Sequence, residues 1–409
     1  MDNQKMKKSP KIVLLILLTF FVISFISNII GPIIPDLISS FHLNLTLVSL
    51  LPFAFFIAYG IMSIPAGILL EVYKEKKVMM FAFGLASLGS LLIVLSPHYL
   101  TAILSLFFIG SGMAMLQVVI NPLLRTSGGE ENYANYSVLA QLIFGFASFL
   151  SPLVYQVFIA KKSFFTGLIP PEYPWLTLYL LFILLSLFMV AISFFSTFPE
   201  VELDENEKPG PLAVHWILFK NKYVILYFIA MFCYVGTEQG IATWLSQFLA
   251  TYHGVDPQKA GADSIAYFWG LMTAGGIVGL GLLKFLDSRL VLSVFTMLAM
   301  ICLGLGLWGD VGTALVAFPL VGFFASVIYP IIFSLALNSV KEHHGSFSGI
   351  LVTGIVGGAI FPFIIGGLGD LFGLKLGMSV LFISLAFIFS MGFWAKPLVN
   401  NKRVKLFQA

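Results

Sequence analysis

The sequence predicts an all-α membrane protein with twelve transmembrane helices in two six-helix bundles. Three observations predict it. Apolar residues make up 59% of the 409, and charged residues only 10%, where a soluble globular chain carries about 25% charged residues. The apolar residues fall into twelve runs of the length a bilayer requires, about 20 residues each. The longest polar interruption, 199–222, splits those runs six and six.

The first six runs lie at 12–35, 46–70, 77–97, 100–124, 134–160 and 174–198. The last six lie at 222–250, 260–285, 288–308, 311–338, 345–372 and 375–396. The expected domains are therefore an N-terminal bundle at 1–198, a cytoplasmic linker at 199–221 and a C-terminal bundle at 222–409. The opening MDNQKMKKSPK leads into a run long enough to span, with no small-residue cleavage motif behind it. Span 1 carries Ser27-Asn28, then Gly31-Pro32 and Pro35-Asp36. Spans 2 and 8 both pass through glycines into a charged turn, GILLEVYKEKK (67–77) and GLGLLKFLDSR (279–289). Spans 5 and 11 are rich in small residues and carry a proline past their middle. Such echoes between halves suggest two related bundles about a central site, as in alternating-access transporters. Within the linker, 200–207 is an acidic solvated loop, and 211–219 is expected to form a short interfacial helix.

Charge fixes the expected orientation. With the N-terminus inside, eighteen of the twenty-two Lys and Arg fall in inner segments, and Lys161, Lys162, Lys259 and Lys375 in outer ones. The positive-inside rule then places both termini in the cytoplasm. No Lys or Arg falls in a span core, and the six histidines sit in loops or near span ends. The formal net charge of +3 is scattered between spans and gives no nucleic-acid surface. Cys233 and Cys302 lie inside spans and suggest neither a disulfide framework nor a metal site. No phosphate loop, zinc-binding helix motif or nucleophile elbow occurs, so no cofactor, metal or catalytic group is expected.

Glu238 stands out against this background. It sits with Thr237 and Gln239 in the middle of span 7, flanked by Gly236 and Gly240. A charge at that depth costs ~2.5–3.5 kcal/mol unless it faces a cavity or a partner. The competing reading is a structural carboxyl, protonated or bonded to a backbone; the absence of Lys, Arg or His from every span core leaves it no obvious countercharge. Glu238 is therefore the candidate ion-coupling group, for a proton or for sodium. Around it, a hydroxylated solute needs amide donors and acceptors and flat aromatic faces. Asn28, Gln117, Asn121, Gln141, Gln239 and Asn338 supply the amides, and Trp244 and Trp269 the faces. The competing reading of each is helix packing: a membrane-embedded amide can instead bond a neighbouring helix.

The ordered motifs resemble the major facilitator superfamily, and within it the fucose:proton symporter family. GILLEVYKEKK is similar to the superfamily's loop motif, with Glu71 for its aspartate and Lys76-Lys77 for its basic pair. Leu116-Gln117-Val-Val-Ile-Asn121-Pro122 and Leu139-Ala140-Gln141 resemble the family's fourth and fifth helices. Phe232-Cys-Tyr-Val-Gly236, Tyr329-Pro-Ile-Ile-Phe-Ser-Leu335 and Gly357-Gly-Ala-Ile-Phe-Pro362 resemble its seventh, tenth and eleventh. The family's helix-1 aspartate falls near Gly31, its helix-4 glutamate at Gln117, its helix-5 asparagine at Phe144 and its helix-8 arginine at Gly276. Glu238 stands where the family has an amide. The resemblance implies a secondary active transporter of a monosaccharide or similar polar solute, driven by a proton or sodium ion. It leaves the coupling mechanism and the sugar open. The expected setting is the cytoplasmic (inner) membrane, with the lipid bilayer as its surroundings and a monomeric chain. The alternative is an exporter of drugs or metabolites on the same fold. Span 5 lacks the glycine-proline signature of drug antiporters, reading Gly145-Phe-Ala-Ser-Phe-Leu-Ser-Pro152.

The charge split makes the first prediction. In a cysteine-free background, Ser40→Cys is labelled by an impermeant reagent applied to intact cells, and Ser339→Cys is protected. The reverse pattern overturns the orientation.

Overall fold

A computed structural model describes residues 9–129, 133–160, 169–170, 172–199, 212–340 and 344–397. Among them the chain is helical, without β-strands, and twelve helical segments are long and apolar enough to cross a membrane. The chain divides into two compact units, one made of Met1–Leu43 with Leu50–Leu203, the other of Asn44–Ser49 with Asp204–Ala409. Much of the expected linker, 200–211, lies outside the described residues, and with it the acidic run. So do the basic residues in 1–8, 161–162, 341 and 402–405.

Unit 1 holds the first six spans. Span 1 is two half-helices, α1 (Pro10–Ser27) and α2 (Ile30–Phe41). The break has a local cause. Pro32 has no N–H to offer the carbonyl of Asn28, four residues back, and its ring crowds that carbonyl. Next come α3 (Leu45–Leu70) and α4 (Val72–Leu95), one helical stretch interrupted only at Lys74, whose φ is +67°. Then come α5 (Tyr99–Gly128), α6 (Tyr133–Ala160) and α7 (Leu176–Phe195). Lys76 ends the turn by donating to the carbonyls of Phe194, 2.6 Å, and Ser196, 2.9 Å. Those carbonyls lie at the C-terminus of α7, where the helix dipole favours a cation.

Helix packing in unit 1 rests on small polar groups. Ser24 Oγ and Ser148 Oγ are 2.7 Å apart, and Asn28 Nδ2 donates to Ser148 Oγ at 2.9 Å and to the Ser24 carbonyl at 3.0 Å. Ser151 Oγ donates to the Phe25 carbonyl at 2.8 Å. These bonds tie span 1 to span 5, the pattern expected where no hydrophobic effect drives helices together. Large apolar side chains left exposed in unit 1 include Leu14, Leu95 and Phe195.

Unit 2 begins with the short helix α8 (Leu212–Phe219), where a helix was expected, and continues with α9 (Lys222–His253). After a single π-turn, Pro257–Gly261, come α10 (Ala262–Leu283) and α11 (Ser288–Trp308). Span 10 is again two pieces, α12 (Val311–Ala325) and α13 (Ile328–Leu337). Pro330 disrupts the carbonyl of Ser326 as Pro32 disrupts that of Asn28. Span 11 comprises α14 (His344–Thr353), a 3-10 turn at Gly354–Val356 and α15 (Gly357–Phe372). Span 12 comprises α16 (Leu374–Ser379) and α17 (Leu381–Trp394).

The core of unit 2 is α9 against α15. Gly357 lies against the carbonyl of Phe232, and Gly236 against the ring of Phe361, so neither position has room for a Cβ. Trp244, wholly buried, donates its indole N–H to the Pro362 carbonyl at 3.0 Å.

This packing separates two glycines by their surroundings. Gly357→Ala forces overpacking, which costs about 1–3 kcal/mol, and lowers the melting temperature of the solubilised protein. Gly276→Ala meets nothing within 4 Å and leaves it unchanged. Equal effects at the two positions would refute the packing assignment.

Candidate functional site

The site is built on α9, which runs unbroken past its midpoint at Glu238. Glu238 is half-buried, between Thr237 and Gln239, which are buried. Thr237 turns its hydroxyl back to the Cys233 carbonyl at 2.9 Å and is committed there. The Glu238 carboxylate interacts with Tyr234, one turn earlier on the same face, and with Gln239. Its interacting partners include no basic side chain. The Tyr234 ring is 5.8 Å from that of Tyr329, tilted by 58°. Tyr329 also interacts electrostatically with Glu238 and stacks on Phe333 at 6.0 Å. It stands on the first turn of α13, just past the proline-induced break in span 10.

A carboxylate has several lone pairs to offer. It can take a proton or accept hydroxyl groups of a polyol, with the two tyrosine rings as adjacent flat faces. Coordination of sodium suits it less well. Membrane sodium sites draw on carbonyls of unwound helix, whereas α9 is continuous here.

The other predicted residues divide into two groups. Gln239 joins the Glu238 cluster. In unit 1, Gln117 and Asn121 share one face of α5, half-buried and exposed respectively, with Asn121 Nδ2 donating to the Gln117 carbonyl at 3.3 Å. Gln141 is exposed on α6. Asn28 and Trp244, by contrast, are occupied in helix packing through Ser148 and Pro362. Trp269 is 3% exposed, lies 5.2 Å from the Phe268 ring, and its indole N–H has no hydrogen-bond partner among the described residues. Asn338 is half-buried at the end of α13, with a long 3.4 Å contact to Ser334 Oγ. Asp36, in α2, accepts from the Tyr155 hydroxyl at 2.6 Å. Sequence reading marks Tyr234 and Tyr329 as mid-span polar residues but does not assign them to the site. The four-residue spacing of Tyr234 and Glu238 was the available signal; nothing in the sequence points Tyr329 at Glu238.

The twelve spans and this polar cluster within them define a membrane transporter of the major facilitator superfamily. The chain belongs to that family: the Major Facilitator Superfamily model matches residues 16–360. It is 31% identical over 389 residues to the glucose/galactose transporter of Brucella abortus, covering 91% of this chain and 90% of that one. It is 22% identical to the L-fucose-proton symporter of Escherichia coli over 86% of this chain and 85% of that one. Its fold matches the crystal structure of the E. coli fucose:proton symporter with a TM-score of 0.68 at 21% identity, over 94% of this chain and 98% of that one.

The two groups of candidates predict different phenotypes. Trp244→Phe strands the Pro362 carbonyl and lowers thermal stability without changing solute affinity. Asn121→Ala and Gln141→Ala leave stability unchanged and weaken solute binding about 5–150-fold, the span for a lost bond of ~1–3 kcal/mol. Titration of solute-induced thermal shifts reads both. Normal binding by both amide variants would exclude these residues from the site.

Proposed function

We propose that the protein is a proton-coupled sugar transporter of the cytoplasmic membrane, working by alternating access, with Glu238 as the proton-carrying group. The observation that carries this reading is the half-buried carboxylate of Glu238, held by Tyr234 and Gln239 with no cation among its interacting partners. In unit 2, Gln239 and the tyrosine pair offer polar and flat contacts for a pyranose ring; in unit 1, Gln117, Asn121 and Gln141 offer amides. The names of the relatives, a glucose/galactose transporter and an L-fucose-proton symporter, support the same solute class and coupling. Both termini face the cytoplasm, 199–221 links the two bundles, and the chain acts as a monomer.

The mechanism follows from solvation. A carboxyl group facing a dry surrounding favours its neutral form, and one facing water or donors tolerates charge. Alternating exposure of one group to the two sides therefore lets it load a proton on one side and release it on the other. Solute binding completes the loaded state, so neither crosses alone.

Glu238→Gln tests this in proteoliposomes with labelled glucose, galactose and fucose. The amide imitates the protonated state. Solute exchange persists, and accumulation driven by a pH gradient is lost. Accumulation driven by a sodium gradient in the parent, abolished by the same substitution, would replace the proton with sodium. Undiminished accumulation by Glu238→Gln would remove Glu238 from coupling, and efflux of a dye in place of sugar uptake would make the protein an exporter.

A further inference from the structure

The turn between spans 2 and 3 borders a cavity within unit 1. The cavity holds about 320 Å³, and small-ligand pockets hold about 300–1,000 Å³. Its walls come from Lys74, Glu75 and Lys76 and from 196–199, just past the end of α7. Lys76 is half-buried and gives N–H groups to the Phe194 and Ser196 carbonyls, at 2.6 and 2.9 Å. An ammonium has three donors, so one remains. Lys74 is exposed, as is Thr197, and Glu75 is buried. Two ammonium groups against one carboxylate leave the lining net positive.

The backbone is strained at this wall. Lys74 has φ +67° and ψ 168°, a conformation that glycine enters freely and a residue with a Cβ enters at a cost. Such strain persists only where the surroundings hold it, and it clusters at ligand sites. Glycine would make the same turn between α3 and α4 with less strain. What lysine adds there is an ammonium group on the cavity wall. The flanks, by contrast, are apolar. Val72 and Tyr73, just before Lys74, are 66% and 52% exposed. Phe194 and Phe195, the last residues of α7, are 57% and 84% exposed, and Lys76 Nζ lies 5.7 Å from the Phe194 ring.

We infer that this cavity binds the headgroup of an anionic phospholipid, with the Lys74 ammonium on its phosphate. A phosphodiester is negative and offers acceptor oxygens. These suit the Lys74 ammonium, the remaining N–H of Lys76 and the Thr197 hydroxyl. The apolar flanks suit acyl chains, which a free phosphate ion lacks. With the orientation proposed above, the cavity lies on the cytoplasmic side, where anionic headgroups attract basic segments next to a span. The site lies wholly in unit 1 and is independent of the sugar and of the coupling ion.

The test is a thermal-shift titration of the solubilised full chain without sugar. The probes are dioleoylphosphatidylglycerol, dioleoylphosphatidylcholine (the same chains with a zwitterionic headgroup) and inorganic phosphate. Binding to the folded state raises the melting temperature by mass action. Phosphatidylglycerol is expected to raise it at a lower concentration than either of the others. Lys74→Gly relieves the backbone and removes the ammonium, so two readouts move in opposite directions. The lipid-free melting temperature rises, while the phosphatidylglycerol midpoint moves about fivefold higher, the effect of one Lys lost beside an anionic headgroup. The response to phosphatidylcholine stays as in the parent. Lys77→Ala, at an exposed position outside the lining, keeps the parent midpoint. Equal responses of the parent to the two lipids overturn the site. An unchanged midpoint in Lys74→Gly does so too, as does an equal loss in Lys77→Ala, the mark of a diffuse charged surface. Inorganic phosphate acting as strongly as phosphatidylglycerol makes the ligand a free anion and overturns the lipid. Lys74→Asn, which tolerates positive φ without a charge, repeats the comparison should Lys74→Gly fail to fold.

Discussion

A carboxylate in the middle of a membrane-spanning helix is the constraint around which unit 2 is arranged. The bilayer has no water to solvate Glu238, so the protein must supply its donors. Tyr234, one turn away, and Gln239, at the next position, are its interacting side chains. Neither is a cation, so the charge is tempered but not neutralised. A salt-bridged carboxylate would hold its proton state firmly; one held by neutral donors responds to a change in its surroundings. Its position also requires that α9 be fixed closely, and the glycines at 236 and 357 allow this by letting α15 pack against the α9 backbone. Trp244 secures the same pair of helices two turns further on.

The breaks in spans 1 and 10 extend the same reasoning to the backbone. Each follows from a proline, Pro32 or Pro330, four residues beyond the carbonyl it displaces. Each leaves polar side chains at the break. Asn28 closes the first by bonding across to Ser148 and back to Ser24, which makes it a tie between helices. At the second, Ser326 Oγ turns to the Phe323 carbonyl at 2.7 Å, and the redirected half-helix carries Tyr329 toward Tyr234. Similar local chemistry thus yields a packing element in unit 1 and part of the site in unit 2.

The sequence displays these features unequally, for physical reasons. Span number and approximate position are legible because hydropathy is a local sum over about twenty residues; span 1 nevertheless extends to Phe41, beyond the expected 35, since its proline-containing end still forms helix as α2. Glu238 is legible because a mid-span charge is costly wherever its partners lie. The amides and tryptophans are less so. A membrane-buried Asn or Trp can satisfy its polar group through a neighbouring helix or through a solute, and the deciding partner is distant in sequence. Ser148 is 120 residues from Asn28, and Pro362 is 118 from Trp244. No local pattern carries that information. Tyr329 illustrates the converse: its proximity to Tyr234 depends on how far Pro330 turns the half-helix, a quantity that composition does not encode.

Two carboxylates, Glu238 and Asp370, show how depth sets the work a charge can do. Asp370 lies exposed, with the backbone N–H groups of Leu45 and Thr46 and the Thr46 hydroxyl as partners, and water can replace each of them at small net cost, since an intramolecular hydrogen bond is worth only about 0.5–1.5 kcal/mol against solvent. Such a group can exchange its partners for water. Glu238 lies half-buried in the middle of a span. In the proposed cycle a change in its surroundings alters the free energy of a charged carboxylate more than that of a neutral one, and a proton is exchanged. The unbroken backbone of α9 strengthens this argument over one based on sodium: the helix keeps its carbonyls in intrahelical bonds, leaving side-chain oxygens as the local ligands. A proton needs one of them, whereas a metal cation needs a shell. The continuity of the helix through Glu238 is therefore the reason we propose a proton, and not sodium, at this residue.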